Sequence, residues 1–178
     1  MKIIKSIFND VHLLAPKIFS DNRGFFYESY KDLAFNKIAG KEVVFVQDNH
    51  SYSKKSVLRG LHYQTEPYQQ DKLVRVISGE IFDVVVDVRK NSKTFAQWHG
   101  VFLSSNNNNQ LWIPKGFAHG FVVTSSDAVV LYKTTEYYYP QYEQTIKFDD
   151  PDLNIQWPIK IETVSVKDSS AVYLKDIT

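Results

Sequence analysis

The chain has 178 residues, 43% of them apolar, and its 21 Lys and Arg against 20 Asp and Glu give a formal net charge of +1. This length supports a core without covalent cross-links, and the near-zero charge provides no field to hold a polyanion such as DNA. The absence of cysteine excludes disulfides and thiolate chemistry, and the lack of an apolar leader or a membrane-length apolar run predicts one cytoplasmic domain over residues 1–178 with no membrane partner.

Short runs rich in β-branched and aromatic residues, separated by turn residues, follow one another along the chain with almost no helical period. They predict a β-protein with one short helix over Lys31–Ala39, which Gly40 ends as its C-cap. Ser78 and Gly79 predict a tight hairpin, because Gly79 supplies the positive φ that such a turn needs. The predicted strands are Lys2–Ile7, Phe25–Tyr30, Val43–Asp48, Lys72–Ser78, Glu80–Arg89, Trp98–Leu103, Asn109–Ile113, Gly120–Thr124 and Val129–Tyr138.

Strands this short, with turn residues at this spacing, fit an all-β sandwich or jelly roll whose two sheets enclose a cavity. Within the fifth predicted strand, alternation places Phe82 and Val84 on the face that we expect to pack in the core. Ile81 and Val85 lie on the other face. Asp83 shares that second face, where it is either solvated or lines a pocket.

His62 is the first candidate for chemistry. It follows Gly60 in an apolar run, and a partly buried neutral imidazole can act as a base near pH 7. A lone histidine is more often a hydrogen-bonded core residue. However, Arg59, Gln64 and Lys72 are close in sequence, and several polar residues on apolar strands are costly unless they serve a site. The run therefore predicts a site for proton transfer.

A metal centre is the first alternative for the histidines. Jelly rolls that bind iron or manganese typically carry two histidines one residue apart on one strand, whereas Gln64 stands two positions after His62. His62 and His119 alone are too few ligands for a tight site. The sequence therefore predicts no metal and no other cofactor.

Seven segments of the chain carry a family resemblance: Phe19–Glu28, Val46–Ser51, Val57–Gln64, Lys72–Val76, Leu111–Phe121, Leu131–Thr135 and Asp150–Leu153. In this order and without a large insertion, they resemble the nucleotide-sugar 3,5-epimerases of the cupin superfamily, typified by dTDP-4-dehydrorhamnose 3,5-epimerase. The resemblance extends from Lys5 to about Asp176. It implies a cupin jelly roll, or double-stranded β-helix, and cofactor-free inversion of carbons 3 and 5 of a dTDP-4-keto-6-deoxyglucose.

The resemblance implies four catalytic residues. Epimerisation beside a ketone needs a base, an electrophile at the enolate oxygen and an acid on the opposite face of the sugar ring. By resemblance His62 is the base and Asp168 is its carboxylate partner. Lys72 is the implied electrophile and Tyr132 the implied acid. From spacing alone, Lys72 fits a solvated edge-strand charge equally well. Spacing alone favours a loop or capping role for Asp168, and a tyrosine on a core strand such as Tyr132 is commonly a packing residue.

The resemblance also implies a set of substrate contacts. They are Phe19, Arg23, Glu28, Gln47, Asn49, Arg59, His119, Tyr138, Glu143 and Lys167. The arginines and the lysine would hold the diphosphate or the sugar, the two amides would hydrogen-bond the base, and the two aromatic residues would supply stacking faces. His119 has an alternative as a structural histidine that is hydrogen-bonded in the core.

In the family the N-terminal segment crosses to the partner subunit, so the resemblance implies a homodimer in which Arg23 and Glu28 act in the neighbouring cavity. Asp71 stands where the family usually has a small residue, and its carboxylate either orients Lys72 or faces solvent.

Two further functions stay open on the sequence alone. One is an epimerase that inverts a single carbon or accepts another nucleotide sugar. The other is a non-catalytic module that binds a sugar nucleotide. The sequence disfavours the binding module, because a protein that only binds has no need of a histidine base, a lysine and a tyrosine acid together.

Overall fold

In the computed structural model, which describes residues 1–177, the chain forms eleven β-strands and two α-helices. The strands are β1 (Lys2–Ile7), β2 (Val11–Ala15), β3 (Phe19–Asp21), β4 (Gly24–Phe26), β5 (Gln47–Lys54), β6 (Leu58–Gln64), β7 (Lys72–Asp87), β8 (Trp98–Ser104), β9 (Gln110–Ile113), β10 (Phe117–Thr134) and β11 (Glu143–Thr145). The helices are α1 (Asp32–Ala39) and α2 (Val166–Ser169). Over the same residues, no helix has both the length and the apolar character needed to cross a membrane.

The long strands β7 and β10 pair with each other along most of their length and contribute to both layers of the fold. In the first layer, the second half of β10 pairs with β5 and the first half of β7 pairs with β9, which leads on to β2 and β1. In the second layer, the first half of β10 pairs with β6 and the second half of β7 pairs with β8. Strand β11 extends this layer beyond β6. This arrangement confirms the predicted all-β jelly roll.

Three groups of buried side chains hold the layers together. The group between the two sheets includes Val74 and Val85. A second group, which includes Val84 and Leu153, packs the outer face of the second layer against the C-terminal segment. A third group packs α1 on the outer face of the first layer through Phe35. Full burial of one such side chain contributes roughly 1.5–3 kcal/mol, so each contact surface is a substantial part of the stability.

Strands β7 and β10 each replace two predicted strands. Gly79 has a φ of 77°, yet the chain does not reverse there and continues as β7. A Cβ atom at Gly79 would collide with the carbonyl oxygen of Asp127 on β10. The prediction of a hairpin was wrong because a residue with positive φ can bend a strand as well as end it.

The prediction of a single core face in this strand was also wrong. Phe82 and Val84 pack beneath the C-terminal segment, whereas Ile81 and Val85 pack between the sheets. Both faces are buried because this part of β7 lies inside two packed layers, where alternation no longer marks the core. Asp83 is fully buried, which excludes the solvated alternative.

Helix α1 is confirmed, since Gly40 adopts the left-handed φ of 67° at its C-cap. Other boundaries differ from the prediction. Strand β5 begins at Gln47 rather than Val43, because Val43 packs with Phe35 under the helix. Strand β4 ends at Phe26, and β2, β3, β6 and β11 are absent from the predicted set.

Asp150 fastens the C-terminal segment, which carries α2. Asp150 is 1% exposed. It accepts hydrogen bonds from the backbone N–H groups of Asp152 at 2.8 Å, Leu153 at 3.3 Å and Leu174 at 2.7 Å. One side chain therefore joins three points of a segment that has little regular secondary structure.

We expect Asp150→Ala to lower the free energy of unfolding by about 3 kcal/mol, because buried N–H donors lose their charged acceptor. Urea denaturation measures this change. The neighbouring Asp149 is exposed, so Asp149→Ala is the matched control and should stay within about 0.5 kcal/mol of the parent protein. Equal stability of the two variants would contradict the anchoring role of Asp150.

Candidate active site

The two layers part at one end of the jelly roll and leave a cavity of about 450 Å³. Strand β5 and the second half of β10 form one wall, β6 and the first half of β10 form the other, and the C-terminal segment closes a side. This volume is typical of small-molecule sites. The predicted residues that line the cavity are Gln47, Asn49, Arg59, His62, Lys72, His119, Tyr132, Tyr138, Glu143, Lys167 and Asp168.

His62 on β6 and Asp168 on α2 form a close pair. The Nε2 atom of His62 lies 2.6 Å from Oδ1 of Asp168. Ser165 caps α2 by accepting a hydrogen bond from the backbone N–H of Asp168 at 3.0 Å. This bond holds the backbone from which the Asp168 carboxylate projects. Burial acts to raise the pKa of Asp168, but the hydrogen bond to His62 and its charge outweigh burial and lower that pKa. An ionised carboxylate in this position orients the imidazole and can stabilise the imidazolium that forms when the ring accepts a proton.

Lys72 is buried at the start of β7. It is 7% exposed, and its Nζ atom donates to the backbone carbonyl of His62 at 3.3 Å. Burial lowers the pKa of Lys72 to about 8, although the nearby carboxylates of Glu143 and Asp83 act to raise it. The alternative of a solvated edge-strand charge is wrong. Lys72 is instead a compact cation beside the strand that carries the imidazole.

Asp71 does not orient this lysine. Its carboxylate is buried and accepts hydrogen bonds from Nζ of Lys41 at 3.0 Å and from the backbone N–H of Lys115 at 2.8 Å. Both alternatives for Asp71 are therefore excluded, since its carboxylate neither bonds Lys72 nor faces solvent.

Tyr132 lies on the second half of β10, in the layer opposite the one that carries His62. Burial raises the pKa of Tyr132, with a smaller opposing effect from Arg59. The phenol therefore keeps its proton at neutral pH and can act as an acid. The cavity thus has an imidazole on one wall and a protonated phenol on the other.

His119, on the first half of β10, pairs with Asp83 on β7. Its Nε2 atom lies 2.9 Å from each carboxylate oxygen. His119 is therefore hydrogen-bonded in the core, as one alternative predicted, and it also lines the cavity. Across residues 1–177, no group of three or more His, Asp or Glu side chains is arranged to hold a metal ion.

Polar groups form the rim where β11 meets the C-terminal segment. The Tyr138 hydroxyl donates to Oε2 of Glu143 at 2.7 Å, and Lys167 forms an ion pair with the same oxygen. The hydrogen bond to Glu143 raises the pKa of Tyr138 to about 12. Burial acts to raise the pKa of Glu143, but the hydrogen bonds from Lys167 and Tyr138 lower it overall.

Amide groups on β5 and a guanidinium group on β6 line the two walls. The Nε2 atom of Gln47 donates to Oδ1 of Asn49 at 2.8 Å. The Nε atom of Arg59 donates to Oγ of Ser53 at 2.9 Å, while the residue remains largely exposed. A fixed guanidinium with free donors suits an anionic ligand such as a diphosphate.

Other lining residues escaped sequence reasoning. Ser51 lies on the same face of β5 as Gln47 and Asn49, so strand alternation alone would have indicated it. Its Oγ atom is buried and has no hydrogen-bond partner among the described residues. Residues 163–165 and Phe121 also line the cavity. The former come from the distant C-terminal segment, and no local pattern marks them.

Phe19, Arg23 and Glu28 lie outside the cavity of their own chain. Phe19 and Arg23 belong to the β3–β4 hairpin, where Arg23 pairs with Asp21 at 2.6 Å. Glu28 is exposed and pairs with Lys31 at 3.3 Å. Exposed ion pairs of this kind are weak, so both side chains can exchange them for other contacts.

The arrangement has the groups that proton transfer at a carbon beside a carbonyl requires. An imidazole with an ionised carboxylate can remove the proton, a buried ammonium group can stabilise the negative oxygen, and a phenol on the opposite wall can return a proton. The cationic and amide groups around them can hold an anionic substrate in place. The geometry therefore fits inversion of a carbon centre.

Comparison with known proteins agrees with this chemistry. The chain matches the dTDP-4-dehydrorhamnose 3,5-epimerase family model over residues 5–176. It is 53% identical to the dTDP-4-dehydrorhamnose 3,5-epimerase of Salmonella typhimurium over 98% of this chain and 96% of the relative. The relative of that name from Shigella flexneri is also 53% identical, over 94% of this chain and 93% of the relative.

A solved structure shares the whole fold. The crystal structure of dTDP-6-deoxy-D-glucose-3,5-epimerase from Legionella pneumophila, in complex with dTDP-4-keto-L-rhamnose, superposes with a TM-score of 0.95 at 49% sequence identity. The superposition covers 99% of this chain and 94% of that chain. Sequence and fold agree, and the chain belongs to the dTDP-4-dehydrorhamnose 3,5-epimerase family.

Proposed function

We propose that this protein is an isomerase that inverts carbons 3 and 5 of dTDP-4-dehydro-6-deoxy-D-glucose and so gives dTDP-4-dehydro-L-rhamnose. The observation that carries this function is one cavity in which an imidazole paired with a carboxylate, a buried ammonium group and a protonated phenol surround the same space. The family and its curated relatives support the same reaction. Because the reaction moves only protons, side chains can supply every group that it requires.

In the proposed mechanism, His62 removes the proton from carbon 3 or carbon 5. The electron pair of the broken C–H bond forms the double bond of an enolate, and the carbonyl oxygen at carbon 4 takes the negative charge. Asp168 stabilises the imidazolium that results, because its ionised carboxylate lies 2.6 Å from the ring nitrogen. Lys72 stabilises the enolate oxygen as a buried cation.

Tyr132 completes each inversion by donating its phenolic proton to the opposite face of the same carbon. The enolate then returns to the ketone, the phenolate regains a proton from solvent, and the imidazolium of His62 loses its proton to solvent. The two groups lie in opposite layers of the jelly roll, which supports their roles on opposite faces of the ring.

We assign the substrate contacts from the groups around the cavity. Arg59 and Lys167 hold the diphosphate, since they supply cationic donors near the opening. Gln47 and Asn49 hydrogen-bond the base, and the Tyr138 ring stacks on it. The remaining polar groups of the wall, His119 and Glu143, contact the sugar.

We also propose that each chain acts as one domain and that a second copy completes each cavity. On the β3–β4 hairpin, Phe19, Phe25 and Phe26 are 52%, 61% and 67% exposed. A two-stranded hairpin is marginal in water, and a cluster of exposed aromatic residues marks an interaction surface. A second copy that covers this hairpin would receive Arg23 and Glu28 in its own cavity.

Proton NMR of dTDP-4-dehydro-6-deoxy-D-glucose with the metal-stripped protein in deuterium oxide tests the proposed function. We expect the proton signals of carbons 3 and 5 both to disappear. His62→Ala should slow this exchange by about 1,000-fold, because the proton acceptor is lost while packing changes little. His99→Ala is the control, since His99 is a partly buried histidine outside the cavity, and it should exchange at the parent rate.

Loss of the proton signal at only one carbon would indicate an epimerase that inverts a single carbon. Absence of exchange with the unaltered protein would indicate another nucleotide sugar or a binding module. Exchange that persists at the parent rate in His62→Ala would remove His62 from its role as the base.

The pH dependence tests Lys72. Its pKa of about 8 means that the ammonium form is present below this pH and is lost as the pH rises through it. We therefore expect kcat/KM to fall above pH 8, by about tenfold for each further pH unit. Lys72→Arg should lower kcat/KM at neutral pH and remove this alkaline decline, because a guanidinium stays protonated. A flat profile of the unaltered protein up to pH 9.5 would contradict the need for a charged Lys72.

Mixed dimers test the contribution of the partner. Arg23→Ala and His62→Ala should each be nearly inactive at low substrate concentration. Coexpression in equal amounts should restore about a quarter of the parent activity, because half of the dimers are mixed and each of these contains one intact site. Separately tagged chains allow purification of the mixed dimer. If the mixed dimer is inactive although it forms, Arg23 acts in its own chain.

A further inference from the structure

Gln64 on β6 lies two residues after His62 and therefore on the same face of the strand. It stands where metal-binding jelly rolls carry a second histidine, and the residue is 4% exposed. Gln64 does not line the cavity. Its amide group bonds the backbone of the segment that joins β10 to β11, which borders the cavity.

The hydrogen bonds of Gln64 converge on the two peptide groups that flank Tyr138. The Oε1 atom accepts from the backbone N–H of Tyr139 at 2.7 Å, and Nε2 donates to the backbone carbonyl of Tyr137 at 3.1 Å. The φ and ψ angles of Tyr138 are the torsions between these two peptide groups. One buried amide therefore restrains the backbone from which the Tyr138 ring projects. Nε2 also donates to the carbonyl of Tyr68 at 2.6 Å.

The Tyr138 side chain has little support of its own. It is 50% exposed, and its hydroxyl donates to Glu143 at 2.7 Å. Gln70 also bonds this segment, with Nε2 donating to the carbonyls of Glu136 at 2.8 Å and Tyr137 at 3.2 Å. These bonds reach only backbone groups that precede Tyr138. Gln64 bonds the peptide group before Tyr138 and the one after it.

We propose that Gln64 is a positioning residue, which holds Tyr138 where its ring meets the nucleotide base and so sets the affinity for the nucleotide. This role rests on the proposed function, in which Tyr138 stacks on the base. The positioning role requires one side chain that can both donate a hydrogen bond to the Tyr137 carbonyl and accept one from the Tyr139 N–H. A carboxylate keeps only the acceptor and opposes the two carbonyl oxygens, while an aliphatic side chain supplies neither group.

Calorimetric titration with dTDP tests this role in a double-mutant cycle. We expect Gln64→Leu and Tyr138→Ala each to raise the Kd for dTDP by about tenfold, the range of one lost stacking contact. The double variant should also bind about tenfold more weakly than the parent, because Gln64 acts through the ring that is already absent. If Gln64→Leu instead weakened binding by damaging another part of the site, the two effects would add, and the double variant would bind dTDP about a hundredfold more weakly than the parent.

Two further readouts separate positioning from general damage. Gln64→Leu should raise KM and leave kcat near the parent value, since His62 and Lys72 are unaltered. Hydrogen exchange of the Tyr139 amide should become faster in Gln64→Leu, because its acceptor is gone. Gln69→Leu is the matched control, since Gln69 lies only five positions after Gln64 and does not line this cavity, and it should change neither quantity.

Unchanged dTDP affinity, or a hundredfold loss in the double variant, would overturn the role of Gln64. If Gln64→Leu does not fold, Gln64→Glu replaces it in the same cycle with the same expectation. If the unaltered protein does not bind dTDP, the proposed function fails. In that case exchange of the Tyr139 amide still decides whether Gln64 holds this segment, and an amide that stays protected in Gln64→Leu refutes it.

Discussion

The continuous pairing of β7 with β10 is the constraint on which the rest of the structure depends. Both strands pass through both layers, so the residues along them are placed on two walls of one cavity. Strand β7 supplies Lys72 to the cavity and Asp83 to the histidine behind it, and β10 supplies His119 and Tyr132. Because Gly79 allows β7 to bend without a break, the four side chains keep a fixed relation to one another. Paired strands therefore form the walls of the cavity, and loops form its rim.

Burial of charge gives this cavity its chemical character. Asp83 and Asp168 are removed from water and each bonds a histidine, which satisfies the carboxylate and fixes the ring. Lys72 is also buried but has no carboxylate within ion-pair distance among the described residues. Its pKa therefore falls to about 8 under the influence of burial. The same desolvation that weakens the charged state of a lysine makes its charge more effective at an enolate oxygen.

Irregular segments at the cavity are held by single buried side chains that bond backbone groups. Asp150 fastens the C-terminal segment that brings Asp168 to His62. Gln64 bonds both peptide groups beside Tyr138. Such segments lack the regular backbone hydrogen bonds of a helix or sheet, so their conformation depends on side chains that bond buried N–H and C=O groups. Neither role is visible in strand periodicity, because the partners are backbone atoms, and Leu174, Tyr137 and Tyr139 lie far along the chain from the side chains that bond them.

The sequence by itself determined the β class, the helix that ends at Gly40 and the family, since these follow from local alternation, a glycine cap and short segments in order. Only the tertiary structure decided where strands join, which faces are buried and which side chains meet. The physical reason is the separation along the chain of the residues that make contact. Local patterns describe a few residues, whereas His62 and Asp168 are 106 positions apart and come together only when the C-terminal segment packs on β6.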